Sequence, residues 1–166
     1  MDGQASERAK RVRLAIFDVD GVMTDGSLYF GPRGEALKVF NILDGNGLKL
    51  LQKAGIGTAI ISGRKSPAVA KRARELAIEH VIQGTGEDKI PAFEKLLKKV
   101  GLGAEACSFM GDDVQDLAIM TRCGFAVAVV NAVEEVKAKA HYVTRAHGGR
   151  GAIREFCDLV LRAQAR

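Results

Sequence analysis

The chain has no tryptophan, two tyrosines and three cysteines, and no long hydrophobic run. Each shortage excludes something. Without Trp and with two Tyr, few rings are available to stack on nucleic-acid bases, which weighs against a nucleic-acid partner. Cys107, Cys123 and Cys157 are odd in number, form no Cys-x-x-Cys pair, and have no His at zinc-finger spacing. They read as buried, reduced thiols rather than a disulfide or zinc site. No apolar run approaches the ~20 residues that cross a bilayer, and MDGQASERAKRVR lacks the apolar centre of a signal peptide. A cytoplasmic protein without a membrane partner is expected. Repeats, low-complexity tracts and long linkers are also missing.

What is there fits one globular domain with a single core: 166 residues, 47% hydrophobic and 27% charged. The net charge is +5, partly from Arg8, Lys10, Arg11 and Arg13. Residues 1–11 are expected to form a solvated basic tail and residues 12–166 the domain. Apolar runs predict strands over 12–18, 57–62, 79–83, 106–111, 125–129 and 141–143. Between them the patterning predicts helices over 47–54, 67–76, 88–100, 114–122, 133–140 and 152–163. Near-continuous apolar strands alternating with amphipathic helices predict an α/β fold, a Rossmann-like parallel sheet with helices on both faces. One stretch breaks the alternation. Residues 27–40 read as a β-hairpin flap after the first strand, with Gly31-Pro32-Arg33-Gly34 as its four-residue turn. Tyr29, Phe30, Val39 and Phe40 give it apolar surface for its own domain or for another subunit.

Ligands of open α/β sheets bind beyond the carboxyl ends of the strands. The first strand ends in Asp18 and Asp20, the second in Ser62-Gly63-Arg64, and the fourth in Gly111-Asp112-Asp113, with Asp116 three residues on. After the third comes Gly84-Thr85-Gly86-Glu87-Asp88-Lys89. On one strand face, Asp18 and Asp20 would stand about 6–7 Å apart. Their repulsion of about 2.5 kcal/mol at an effective dielectric near 20 calls for a cation, a shared proton or water. Singly, each piece has a plain reading: Asp113 as a helix cap, Ser62-Gly63 as a turn, Lys89 as a surface lysine. Four strand ends converging on one sheet edge make an active site the better account. Asp18, Asp20 and Asp112 form a hard oxygen set suited to Mg²⁺. His80 and His141 read as structural, and His147 stays open between a structural place and the loop at 148–151.

In kind and order, Asp18-Val19-Asp20-Gly21, Ser62, Lys89 and Gly111-Asp112-Asp113 with Asp116 resemble the four motifs of the haloacid dehalogenase superfamily. The resemblance implies a Mg²⁺-dependent phosphatase. Asp18 would be the nucleophile, Asp20 the acid and then the base, and Ser62 and Lys89 the holders of the phosphoryl oxygens. It places the metal on Asp18, Asp112 and the backbone carbonyl of Asp20. Asp113, backed by Asp116, would orient Lys89 or the metal's waters. The acid at position 20 favours phosphatases over the superfamily's dehalogenases and ion pumps. Intervals 18–62 and 89–112 leave no room for an inserted cap, implying a capless member that borrows a lid from a neighbouring subunit or accepts macromolecules.

From residue 12 to 163 the chain further resembles the branch acting on eight-carbon acidic sugar phosphates in lipopolysaccharide precursor synthesis. That likeness implies a homotetramer built on the hairpin, with a C-terminal segment that reaches a neighbouring active site. Arg64, Lys65 and Arg150 then become candidates for the carboxylate or phosphate of a small sugar-acid substrate. Phosphatases of nine-carbon acidic sugars share the architecture, and the basic tail keeps a nucleic-acid 3′-phosphatase as an alternative. A phospho-acceptor receiver domain carries its acidic pair early, and the order here counts against it.

Overall fold

The computed structural model describes residues 3–165. Residues 3–9 form helix α1 (Gly3–Ala9), and the apolar run that follows forms β1 (Leu14–Phe17), buried throughout. Next come the hairpin strands β2 (Tyr29–Gly31) and β3 (Gly34–Leu37), then α2 (Ile42–Lys53), β4 (Gly57–Ser62), α3 (Pro67–Glu75) and β5 (His80–Gln83). The chain continues through α4 (Ile90–Val100), β6 (Cys107–Gly111), α5 (Leu117–Met120), β7 (Phe125–Ala128), α6 (Glu134–Lys139), β8 (Tyr142–Val143) and α7 (Ala152–Gln164). Six strands form one parallel sheet in the order β5-β4-β1-β6-β7-β8, and β2 and β3 form a separate antiparallel ladder. This is the expected α/β fold with its hairpin.

The strand order reverses direction at β1, which opens a crevice at the carboxyl ends of β1, β4 and β6. Register then sets what meets there. Phe17 stands opposite Ile60 on β4 and Met110 on β6. Asp18, Ser62 and Asp112 therefore leave the sheet side by side. Beneath them Phe156 of α7 packs edge-on against Phe17, with ring centroids 5.8 Å apart, and against Phe125 at 6.0 Å. Between Asp18 and Ser62 the chain holds only the hairpin, α2 and β4, and between Lys89 and Asp112 only α4 and β6 apart from short turns, so neither interval carries a cap.

Several local expectations are corrected. The segment expected as a solvated tail is helical: Ala5 and Ala9, four residues apart, share a buried face while Arg8, Lys10, Arg11 and Arg13 stay exposed. Gln164 Nε2 clamps the end of that helix, donating to the carbonyls of Ala9 (3.1 Å) and Val12 (2.9 Å). Helix α2 starts five residues before the expected 47. The Asn41 side chain caps it by accepting from Leu43 N (2.8 Å) and Asp44 N (3.2 Å), while Gly45 and Gly47, poor helix formers, are buried on its packed side. The hairpin turn has two residues, Pro32 and Arg33, because Gly31 pairs with Gly34. The helix expected over 114–122 is a 3₁₀ turn, Val114–Asp116, followed by the short α5. All three cysteines are free and buried. Among the described residues, no helix is long and apolar enough to cross a membrane.

If the Asn41 cap holds the first turn of α2, Asn41→Ala lowers folding stability by about 1 kcal/mol. Urea unfolding should show a lower midpoint at an unchanged slope.

Candidate active site

The Asp18 amide donates to the carbonyl of Met110 (3.1 Å), continuing the ladder one residue past β1, and there the chain turns. The carbonyl of Val19 accepts from the amides of Val22, Met23 and Thr24 at 3.1, 2.8 and 3.1 Å. Asp20 thus lies in a turn, and the two aspartates do not share a strand face as the spacing argument assumed. Gly21 makes the turn possible. Its φ is +88°, and a Cβ there would lie 2.0 Å from Asp112 Oδ2. The turn is held from behind by the Asn131 side chain, which donates to the carbonyl of Gly21 (3.1 Å) and accepts from Gly148 N (2.7 Å). Gly148 presses so closely on this turn that a Cβ on it would sit 1.8 Å from the Gly21 carbonyl oxygen.

A cavity of about 210 Å³ opens over this crevice, lined by Asp18, Asp20, Ser62, Arg64, Lys89, Asp112, Asp113 and Asp116, with Gln115 at its side. Lys89, immediately before α4, enters it with a side chain only 3% exposed. Its ammonium donates to Asp18 Oδ1 and Asp116 Oδ1, each at 2.7 Å. Burial works against the charge, but the two carboxylates outweigh it and raise the lysine pKa. The second oxygen of Asp116 accepts from the amides of Asp112 (2.9 Å) and Asp113 (3.2 Å), so this one side chain fixes both the lysine and the loop after β6. The resemblance gave Asp113 either Lys89 or the metal's waters to orient; of these, Lys89 is held by Asp116 instead. Asp113 accepts from Val114 N (2.7 Å) as the cap of the 3₁₀ turn.

The remaining negative charge is poorly balanced. Burial, then Asp116, push Asp18 up to about 6 against the pull of Lys89. Burial, followed by Asp18 and Asp116, drives Asp112 up to about 8. Oxygens of Asp18, Asp112 and Asp116 lie within 4.8 Å of one another. Because both Asp116 oxygens already accept hydrogen bonds, Asp18 and Asp112 are the pair left to share a cation. A hard, oxygen-seeking divalent ion fits that donor set, which is all carboxylate and carries excess charge.

Asp20 is treated differently. Its Oδ1 lies 2.5 Å from Lys38 Nζ and its Oδ2 3.4 Å from an Arg64 nitrogen. Glu35 of β3 joins the group, accepting from Lys38 (3.0 Å), Arg64 (2.9 Å) and the Ser66 hydroxyl (3.0 Å). The repulsion posed by the sequence is therefore met on two sides: Lys89 beside Asp18, and Lys38 with Arg64 beside Asp20.

Of the residues picked out from sequence, Asp18, Asp20, Ser62, Arg64, Lys89, Asp112, Asp113 and Asp116 meet in the cavity. Lys65 and Arg150 do not line it. Lys65 is exposed, and Arg150 pairs at 3.5 Å with Asp25 of its own chain. His147 is exposed on the same loop. His80 is buried and His141 accepts from Ala126 N (2.9 Å), both away from the cavity. Sequence reasoning missed Glu35, Lys38, Gln115 and Asn131. A lysine inside the apolar run Ala36-Leu37-Lys38-Val39-Phe40 was the one available signal.

Comparisons with known proteins point to one family. A family model described as haloacid dehalogenase-like hydrolase matches residues 81–156. The chain is 47% identical over 158 residues to the 3-deoxy-D-manno-octulosonate 8-phosphate phosphatase of Yersinia pestis, covering 95% of this chain and 84% of that one. The corresponding Escherichia coli K12 protein is 45% identical over 159 residues, covering 96% and 84%. Among solved structures, the Moraxella catarrhalis phosphatase of the same name, in complex with magnesium, phosphate and KDO, superimposes with a TM-score of 0.95 at 41% identity, covering 99% of this chain and 94% of that one.

The raised carboxyls give a pH test. Asp18 and Asp112 ionise above the unfolded aspartate value near 4, so between about pH 4 and 8 the folded chain binds more protons than the unfolded one. Their contribution to stability is present at low pH and is lost as the pH rises through 6 and then 8. In EDTA the melting temperature should fall across that window, and Mg²⁺ should raise it more at pH 8 than at pH 5. A Mg²⁺ shift that is equal at both pH values would contradict the assignment.

Proposed function

The chain belongs to the haloacid dehalogenase-like hydrolases, and from that premise we propose that it is a Mg²⁺-dependent phosphatase of 3-deoxy-D-manno-octulosonate 8-phosphate. Its reaction is a phosphoric monoester hydrolysis that yields the free sugar acid and phosphate. The observation that carries the reading is the pairing of two differently prepared carboxylates in one cavity. Asp18 is buried against Lys89 and Asp112, while Asp20 stands free of that group on cations of its own. The names of the relatives support the substrate.

Spontaneous hydrolysis of a phosphate monoester is so slow that enzymes reach accelerations near ~10²¹, of which one proton donor supplies about 10²–10⁴. A covalent route and charge neutralisation supply much of the rest. Asp18 attacks phosphorus and the bond to the sugar oxygen breaks, with Asp20 delivering a proton to that oxygen. Asp20, now a carboxylate, takes a proton from water as the water attacks the aspartyl-phosphate, freeing Asp18 and inorganic phosphate. Lys89 and Ser62 hold the phosphoryl oxygens. Mg²⁺, held by Asp18, Asp112 and the Asp20 carbonyl, would neutralise charge on the transferring group. Asp116 keeps Lys89 and the loop after β6 in place, and Asp113 shapes the rim.

In this reading Arg64, which lines the cavity, meets the substrate's acidic end from within the chain. Lys65 and Arg150 need a neighbouring subunit to bring them to a site. The hairpin region supports such an assembly: Phe30 is 70% and Ile42 74% exposed, with Leu28, Leu37 and Val39 beside them. We assign this face to a homotetramer whose active sites are completed across subunits, working in lipopolysaccharide precursor synthesis in the cytoplasm.

Phosphate release should be measured with the eight-carbon sugar phosphate, a nine-carbon acidic sugar phosphate and a 3′-phosphorylated oligonucleotide, with and without EDTA. Preference for the first, abolished by EDTA and cut by more than ~10³-fold in Asp18→Asn, is the expected result. Better turnover of the nine-carbon compound would move the substrate and keep the chemistry, and no release from any would sink the reading. For the assembly, Phe30→Asp should shift the particle mass by light scattering from a tetramer toward smaller species.

A further inference from the structure

We propose that Lys38, at the base of the hairpin, is a positioning residue for Asp20. Its ammonium fixes Asp20 Oδ1, which leaves Oδ2 as the oxygen that serves the leaving group, and Glu35 is the counter-charge that keeps Lys38 in place. The inference rests on the phosphatase reading above.

Lysine is almost never fully buried unless it is paired, yet the Lys38 side chain is only 3% exposed in a segment whose neighbours, Leu37 and Val39, are half exposed. An ammonium has three donors and no acceptor. Two of its directions end on carboxylates, Asp20 Oδ1 at 2.5 Å and Glu35 Oε2 at 3.0 Å. Glu35 is itself pinned to the segment after β4, through Arg64 at 2.9 Å and the Ser66 hydroxyl at 3.0 Å, and the Ser66 amide is tied to Gln83 Oε1 of β5 at 2.9 Å. The position of Lys38 is thus referred to the central sheet rather than to the hairpin alone. An ion cluster of this kind, with Lys38 buried and Arg64 exposed, is weak evidence for stability, whereas holding a proton donor within a fraction of an ångström is worth rate. Oδ1 holds the short contact to Lys38, whereas Oδ2 has the longer one, 3.4 Å to the exposed Arg64, so the geometry distinguishes the two oxygens. In the first half-reaction the O–H bond at Oδ2 breaks and its proton passes to the sugar oxygen as the P–O bond breaks. Oδ1 takes no part.

The test compares a leaving group that needs a proton with one that does not. Lys38→Met and Lys38→Arg are mixed, in single turnovers with Mg²⁺, with the alkyl sugar phosphate and with para-nitrophenyl phosphate, whose phenolate departs unprotonated. In Lys38→Met, first-turnover cleavage of the alkyl ester should fall about 10–100-fold while first-turnover release of nitrophenol stays within about threefold. KM should hold, and Lys38→Arg should recover most of the alkyl rate. Equal losses on both esters, no loss on either, or a raised KM at unchanged kcat would overturn the proposal. Should Lys38→Met lose its cooperative thermal transition, Glu35→Gln carries the same comparison, with the same split expected at smaller amplitude and equal losses overturning it. If the unsubstituted chain cleaves neither ester, the phosphatase reading falls and takes this one with it. If it cleaves both and the split is absent, only the role of Lys38 falls.

Discussion

The structure is organised around one buried ammonium. Lys89 sits between Asp18 and Asp116, touching both at 2.7 Å, in a place where burial alone would favour losing its proton. The two carboxylates keep it charged, and it in turn keeps Asp18 from rising further than about 6. Remove the ammonium and the carboxyl end of the sheet would hold several buried carboxylates with little to balance them, a far costlier arrangement than the pair itself. Asp116 extends the effect. By spending its second oxygen on the amides of Asp112 and Asp113, it ties the charge on α4's approach to the loop that carries Asp112.

That constraint divides the cavity into two electrostatic halves. On the sheet side, Asp18 and Asp112 remain over-supplied with negative charge, which is the property a hard cation needs. On the hairpin side, Asp20 is matched by Lys38 and Arg64, with Glu35 drawing both cations together. Two carboxylates two residues apart can then have separate tasks, because their surroundings differ in burial and in partner. The hairpin joins the two scales of the molecule. Its outer surface is apolar and exposed, while its inner residues, Glu35 and Lys38, reach the group around Asp20.

The turn after β1 depends on contacts made far away in sequence. Gly21 admits the Asp112 carboxylate where any side chain would collide, and Asn131 with Gly148 holds the turn from the other side. These restraints place Asp20 off the strand. The resulting arrangement differs from the simple picture of two aspartates on one pleated face, although both readings deliver the pair to the same cavity.

Much of this was legible in the chain itself. Apolar runs of strand length alternating with helical stripes dictate a parallel sheet covered on both sides, since such strands can be buried in no simpler way. Asp18, Asp20, Ser62, Lys89, Asp112 and Asp116 could be picked out because each ends a strand, follows one directly or lies in the short loop beyond it, and strand ends of one sheet share an edge. The rest was decided in three dimensions. Helix α1 was hidden because its burial comes from only two alanines. The start of α2 was hidden because Gly45 and Gly47 count against a helix until packing overrides propensity. Whether Asp113 or Asp116 holds Lys89, and that Lys38 holds Asp20, depend on side-chain directions across 18 to 27 residues of separation. Local pattern carries periodicity and residue type, whereas the pairing of charges depends on distance and burial, which exist only once the sheet has brought its loops together.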